Sequence, residues 1–300
     1  MKIKSWISAF RLRTLPLSLS GIVLGSFIAL SENFWNSYVF TFSILTTILF
    51  QIVSNLANDL GDAQKGADNE GRVGPKRAIQ SGAISEGSMK KAVILLSIIS
   101  LFSAFVLIYI ASKSLNSQLI FVYLVLSAFC VIAALCYTIG KKAYGYNGLG
   151  DLFVFIFFGL VSVLGVYTLY SNIFSFLNIL PAFSIGLLSV SVLNLNNMRD
   201  QINDKAVHKN TLVIKIGAAN AVKYHFFLIV SAILMLSFFM IERLGGKGLI
   251  ALLPSVLLVK HLMYVSRVKS DFVKFDSELK KVALLTFFLS ISCSIALNFL

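Results

Sequence analysis

The 300-residue chain contains only 13 aspartates and glutamates, and they are gathered rather than scattered. Asp59, Asp62, Asp68 and Glu70 crowd one short segment, and Asp200 and Asp204 another. The first segment reads Asn55-Leu-Ala-Asn58-Asp59-Leu-Gly-Asp62 and runs on to Lys65-Gly-Ala-Asp68-Asn69. The second reads Asn194-Leu-Asn196-Asn197-Met-Arg199-Asp200-Gln-Ile-Asn203-Asp204. On a helix, Asn58 and Asp62 share one face at i, i+4, and Asn196, Asp200 and Asp204 form a stripe at i, i+4, i+8. Oxygen ligands of this kind, without His or Cys, suit Mg²⁺, which prefers carboxylates, water and substrate phosphate. The candidate metal ligands are therefore Asn58, Asp59, Asp62, Asp68, Asn196, Asp200 and Asp204, with Asp62, Asp200 and Asp204 also the leading catalytic candidates. Solvated loop charges are the alternative reading for any single Asp. Two matched Asn/Asp stripes in so acid-poor a chain argue against it.

A site built from these carboxylates, two Mg²⁺ ions and a diphosphate ester would still carry net negative charge, so cations must lie close by. Arg72 and Arg77 follow the first cluster, Lys205 and Lys209 follow the second, and all four are candidate diphosphate partners. Lys141 and Tyr144, on a further loop, are added as catalytic candidates. That loop holds Tyr137, Tyr144, Tyr146 and Asn147 among Gly145, Gly148 and Gly150. Its aromatic faces could shield an electron-poor intermediate or stack on a ring substrate. Between Asn58 and Lys91 lie six glycines, Gly61, Gly66, Gly71, Gly74, Gly82 and Gly87, which suit a mobile lid over a phosphate site.

The elements that must hold these groups are membrane helices. Apolar residues make up 57% of the chain, charged residues 13%, and mean hydropathy is +0.85. A soluble domain is nearer 45–50% apolar and about a quarter charged. Nine apolar runs suggest spanning helices, at Leu15–Leu30, Tyr38–Ala57, Ala92–Ala111, Leu119–Ile139, Leu152–Tyr170, Phe176–Leu195, Phe226–Ile241, Leu249–Tyr264 and Val282–Leu300. A β-barrel would show shorter alternating segments. The expected fold is all-α: a single polytopic domain over residues 1–300. The two Asn-x-x-x-Asp units each follow an even-numbered helix, which suggests a 4+4 helix repeat with the ninth helix added.

Basic residues set the orientation. Of the 26 Lys and Arg, only Lys113, Arg243 and Lys247 fall on the side opposite the N-terminus. The N-terminus and both acidic clusters are thus expected in the cytoplasm, in a multi-pass protein of the cell inner (plasma) membrane. The +13 net charge then reflects topology and anionic lipid rather than nucleic acid. The first apolar run lies behind Arg11 and Arg13 without a small-residue cleavage site, and is read as a helix rather than a signal peptide. Cys130, Cys136 and Cys293 read as small buried hydrophobes. His208, His225 and His261 share no metal-ligand spacing and read as interfacial residues. No P-loop, H-E-x-x-H or nucleophile elbow is present.

The paired acidic motifs resemble those of the UbiA-type intramembrane aromatic prenyltransferases, and the likeness extends through nine helices. Within that family the chain is most similar to the 1,4-dihydroxy-2-naphthoate branch. The residues that carry this closer match are Arg11-Leu-Arg13-Thr14-Leu-Pro16, the run Asn55 to Glu70, Arg72-Val-Gly-Pro75-Lys-Arg77-Ala-Ile-Gln80-Ser-Gly82, Tyr144-Gly-Tyr146-Asn-Gly-Leu-Gly150-Asp151 and Lys209-Asn-Thr211-Leu. Many family members space the first motif Asn-x-x-x-Asp-x-x-x-Asp, whereas here five residues separate Asp62 from Asp68, as in the naphthoate branch.

The resemblance implies a Mg²⁺-dependent transfer of a polyprenyl group from polyprenyl diphosphate to 1,4-dihydroxy-2-naphthoate. Diphosphate and CO₂ would be lost, giving demethylmenaquinone for menaquinone synthesis. It implies that metal and basic side chains stabilise the departing diphosphate while the electron-rich ring attacks an allylic cation-like carbon. Other readings are a relative acting on 4-hydroxybenzoate or homogentisate or, in a different class, a cation-coupled secondary transporter. Transporter sites usually lie near the bilayer midplane, and these spans are free of acids.

Overall fold

The computed structural model describes residues 2–71, 73–268 and 272–300; Arg72 lies outside the described residues. In hydrocarbon, a helix satisfies every backbone donor and acceptor within its own segment, and the apolar runs fold accordingly. A short helix α1 (Lys2–Phe10) precedes α2 (Leu15–Ser31), α3 (Ser37–Gln64), α4 (Glu86–Ala111) and α5 (Ser117–Cys136). A continuous segment then comprises α6 (Gly150–Val154), a π-helical stretch (Phe155–Gly165) and α7 (Val166–Ser171). It is followed by α8 (Ile179–Ala206), the short α9 (Leu212–Ile216), α10 (Ala218–Leu244), α11 (Ser255–Arg267) and α12 (Phe275–Phe299). Polar caps fix several starts: Asn36 accepts from the Tyr38 and Val39 amides, Ser85 from Ser88, and Asn116 from Leu119.

Eight helical segments among the described residues are long and apolar enough to cross a bilayer. The eighth expected run, Leu249–Tyr264, departs from the pattern. A 3-10 helix, Gly245–Leu252, is followed by a break at Pro254 and then by the 13-residue α11. Glycines and a proline without an amide proton interrupt the hydrogen-bond ladder there. At 1.5 Å per residue α11 spans about 20 Å, short of a ~30 Å hydrocarbon layer.

α8 is the buried axis, packed against α10, α12 and the π-helical stretch. Its Ile185, Leu188, Leu195 and Met198 are fully buried in one core with Ile229, Leu236 and Phe239 of α10. Glycine lets the π-helical stretch approach closely: a Cβ at Gly159 would stand 2.6 Å from the Ala182 carbonyl oxygen. The outward faces remain apolar, with Ile98, Phe102 and Phe105 on α4 and Phe121, Val125 and Phe129 on α5 exposed. Apolar area on that scale has its solvent in lipid.

Two minor expectations are corrected. His225 and His261 are not interfacial: both are buried, joined Nε2 to Nε2 at 2.9 Å, and His261 Nδ1 meets Glu278 Oε2 at 2.6 Å. This chain of polar contacts ties α10, α11 and α12 together. Of the cysteines, Cys293 is buried, whereas Cys130 is half-buried and Cys136 exposed.

Candidate active site

α3 and α8 are each 28 residues long. At 1.5 Å per residue that is about 42 Å, longer than a ~30 Å hydrocarbon layer, so the last turns can carry polar groups at its edge. Both acidic clusters occupy those last turns, at the same end of the bundle. Asn203 of α8 donates to the carbonyl of Ala67, just past the end of α3, at 3.0 Å. Beyond α8 the chain folds back, and Lys209 Nζ lies 3.7 Å from Asp62 Oδ1 and 4.0 Å from Asp204 Oδ1. The two clusters, expected on one side of the membrane, therefore meet at one end of the bundle.

Asp62 and Asp204 are only 6% and 4% exposed. Tyr146 donates its hydroxyl to Asp62 Oδ1 at 2.8 Å. Burial and the Asp62 charge push that phenol well above its ordinary range, so it remains a donor. Lys65 Nζ stands 4.0 Å from the centre of the Tyr146 ring, and Lys209 Nζ 5.1 Å from it. Burial lowers the Lys65 ammonium below its usual value, partly opposed by Asp62. The Lys209 ammonium thus sits between carboxylates from two helices.

The remaining acidic candidates are engaged differently. Asp59 is 1% exposed and points to another face of α3, where it pairs with Arg11 and with Arg77 Nη1 at 3.0 Å. Expected as a metal ligand, it is shared between two guanidiniums. Arg77 Nε also approaches Asp68 Oδ1 at 3.6 Å, so Arg77 links the first cluster to the loop that follows it. Asp200 is gripped by its neighbour, with Arg199 Nε 2.8 Å from Oδ1 and Nη2 2.6 Å from Oδ2. The same guanidinium donates to Asn196 Oδ1 at 2.8 Å and to Asp276 of α12 at 2.5 Å. Asn196, Asp200 and Arg199 thus form one network, which Asp276 ties to α12.

The basic candidates divide as well. Lys209 and Arg77 reach carboxylates, whereas Lys141 and Lys205 are exposed to solvent. Tyr144 does not present a free hydroxyl: it donates to the Ala133 carbonyl at 2.8 Å. Its ring stacks on Phe153 with centroids 3.9 Å apart. The segment from residue 65 to residue 85 is shorter than the expected lid, because helix runs to Gln64 and resumes at Glu86. Gln80 braces it by donating to the Asn69 carbonyl at 2.9 Å.

Two groups were missed. Tyr146 was legible only as an aromatic on a glycine-rich loop, and nothing in its spacing pointed to Asp62. Asp276 had no signal at all, since 77 positions separate it from Arg199.

One turn inward from Asp62, Asn58 lines the end of a cavity of about 340 Å³. Its walls come from α2, α3, α4, α5 and the segment from α6 to α7. It runs along α3 from Asn58 to Ser43, 15 positions or about 22 Å at helical rise. Phe157, Val161 and Leu169 keep it mostly apolar.

Residues 18–298 match the family described as the UbiA prenyltransferase family. The chain is 39% identical over 267 residues to 1,4-dihydroxy-2-naphthoate octaprenyltransferase of Escherichia coli (strain K12), covering 89% of this chain and 86% of that protein. It is 42% identical over 267 residues to the protein of the same name from Haemophilus influenzae, covering 88% and 86%. Among solved structures, the apo UbiA homologue from Aeropyrum pernix K1 superposes with a TM-score of 0.66 at 18% identity, covering 94% of this chain and 98% of that one. A UbiA homologue from Archaeoglobus fulgidus, described as bound to DMAPP and Mg²⁺, gives 0.59 at 14% identity, covering 95% and 99%. With this sequence match and the same fold, the chain belongs to the UbiA prenyltransferase family.

Proposed function

We propose that the protein transfers a polyprenyl group from polyprenyl diphosphate to 1,4-dihydroxy-2-naphthoate, releasing diphosphate and CO₂ and giving demethylmenaquinone. The observation that carries this reading is the Asp62–Lys209–Asp204 cluster standing at the end of a membrane-deep apolar cavity. A diphosphate head fits the first and an isoprenoid tail the second. The names of the relatives at 39% and 42% identity support the naphthoate acceptor and the prenyl donor.

The donor set fits Mg²⁺. Asp62 and Asp204 supply two carboxylates from different helices and Asn58 an amide oxygen. Mg²⁺ is commonly held through one or two carboxylates, with phosphate oxygens and water completing its shell. Asp68, Asn196 and Asp200 complete the proposed metal–diphosphate shell, and we assign two ions to it. When bound, the metal supplies Lewis-acid stabilisation of the departing diphosphate. Lys209, and Lys65 beside it, are placed to meet the negative charge that develops on the leaving group. Tyr146 holds Asp62 in place. The stacked Tyr144 and Phe153 rings offer their negative faces to an electron-poor allylic carbon. Apolar cavity walls exclude water that would otherwise capture that carbon.

The excess of basic residues at this end supports a cytoplasmic orientation for it, in a multi-pass protein that we assign to the plasma membrane. The test is turnover of purified protein in detergent, offered 1,4-dihydroxy-2-naphthoate, 4-hydroxybenzoate and homogentisate with mixed prenyl diphosphates, with products read by mass spectrometry. Prenylated naphthoate, lost on chelating Mg²⁺, is expected. Asp62→Ala and Asp204→Ala should each lower turnover by about a thousandfold. Wild-type rates in both would end the assignment, and product from another acceptor alone would reassign the substrate.

A further inference from the structure

The cavity contains one fixed hydrogen-bond acceptor that the preceding reading does not use. Along α3 its lining residues include Gln51, Ser54 and Asn58, a polar edge on a mainly apolar chamber. An isoprenoid tail has no use for an amide, and a polar group at this depth is costly unless something bonds to it.

The orientation of that amide is set by its neighbours. Asn55 gives both of its amide hydrogens away, to the Phe10 carbonyl at 2.9 Å and to Thr14 Oγ1 at 3.1 Å. Thr14 cannot reverse this second bond, because its own hydroxyl proton goes to the Arg11 carbonyl at 2.9 Å. Asn55 must therefore offer its carbonyl oxygen to α3, and Gln51 Nε2 donates to it at 3.2 Å. The polarity of the chain is fixed from a backbone carbonyl outward, and it ends on Gln51 Oε1. That oxygen accepts no hydrogen bond from the described residues.

We propose that Gln51 recognises the aromatic acceptor, its Oε1 accepting a hydrogen bond from a ring hydroxyl. The inference rests on the reading of the protein as an aromatic prenyltransferase. Gln51 lies 11 positions before Asp62, about 16 Å along the helix axis. Its tip leans back towards Asp62, because its amide bonds Asn55 one turn on. The gap leaves room for a metal-bridged diphosphate and the first carbon of the tail, with the ring between that carbon and Gln51. Tyr144 and Phe153 line the same cavity and offer aromatic surface to it. At Oε1 the diol gains a hydrogen bond that the quinone, which has no proton to give, does not. The site thereby favours the electron-rich oxidation state, the only one able to attack an allylic cation.

The experiment compares the diol acceptor with its two monomethyl ethers in steady-state assays of wild type and Gln51→Leu. Turnover of the diol by wild type checks the underlying reading on its own, and its failure would remove the reading and this inference together. Given that turnover, one ether should lose about ten- to a hundredfold in kcat/KM with wild type. Gln51→Leu should raise KM for the diol by a similar factor, leave KM for the prenyl diphosphate unchanged and no longer distinguish the diol from that ether. Wild type using both ethers as well as the diol would overturn the proposal even if the variant failed to fold. An unchanged KM for the diol in a folded Gln51→Leu enzyme would do the same.

Discussion

Adjacent carboxylates on α3 do opposite jobs, and position on the helix face decides which. Asp62 turns towards Tyr146, Lys209 and Asp204, whereas Asp59 turns towards Arg11 and Arg77. Their variants should fail in different assays. Asp59→Ala leaves two largely buried guanidiniums without their shared partner and should cost about 3 kcal/mol of stability, read as a lowered midpoint in detergent unfolding. Asp62→Ala removes a group from the candidate reaction centre and should spare that midpoint while abolishing turnover. Tyr146→Phe should preserve the fold and weaken Mg²⁺ activation by about tenfold, through the lost hydrogen bond to a charged oxygen. The i, i+4 spacing of Asn58 and Asp62 was legible in the sequence, because helical periodicity is a local property. The pairing of Asp59 was not, since Arg11 and Arg77 arrive from other segments and no local pattern encodes which carboxylate they choose.

Elements explain how the two acidic helix ends come to meet. α3 keeps its helix beyond the apolar run that ends at Ala57, so that Asp62 still rides a rigid backbone. Its approach to the loop after α5 depends on one missing side chain. A Cβ at Gly61 would stand 2.4 Å from Thr138 Oγ1 and 2.7 Å from the Thr138 carbonyl carbon. Gly61→Ala should therefore push α3 away from that loop, costing about 1–3 kcal/mol and most of the turnover. Gly87→Ala, at a helical site with nothing within 4 Å of the added carbon, is the control and should leave both measurements close to wild type. Eight of the apolar runs were readable as helices from length alone, because hydrocarbon permits few alternatives. The eighth in sequence, Leu249–Tyr264, is helical on both sides of Pro254, and only the break between the two pieces was hidden, because apolarity does not register a gap in a hydrogen-bond ladder.

The whole molecule is asymmetric in charge from end to end. At the end away from the acidic clusters, Glu32, Arg243, Asn178 and Tyr167 form a small partly buried knot, with Tyr167 donating to Glu32 at 2.5 Å and Arg243 to Asn178 at 3.2 Å. If the basic end faces the cytoplasm, a single cysteine introduced at Lys76 should react with an impermeant thiol reagent only in inverted vesicles. One placed at Lys113 should react only in right-side-out vesicles, and the reverse pattern would invert the topology. Both probes belong in a variant with Cys130, Cys136 and Cys293 replaced. A last consequence comes from α5. Tyr123, Ser127 and Cys130 face the cavity, while Phe121, Val125 and Phe129 on the same helix face outward. The chamber is therefore fenced from the bilayer by the thickness of one helix, pinned where Tyr123 donates to the Gly165 carbonyl at 2.6 Å. A greasy chain too long for the chamber needs only that fence to sway. It can then slip out sideways among the acyl chains, without being drawn back past the charged rim.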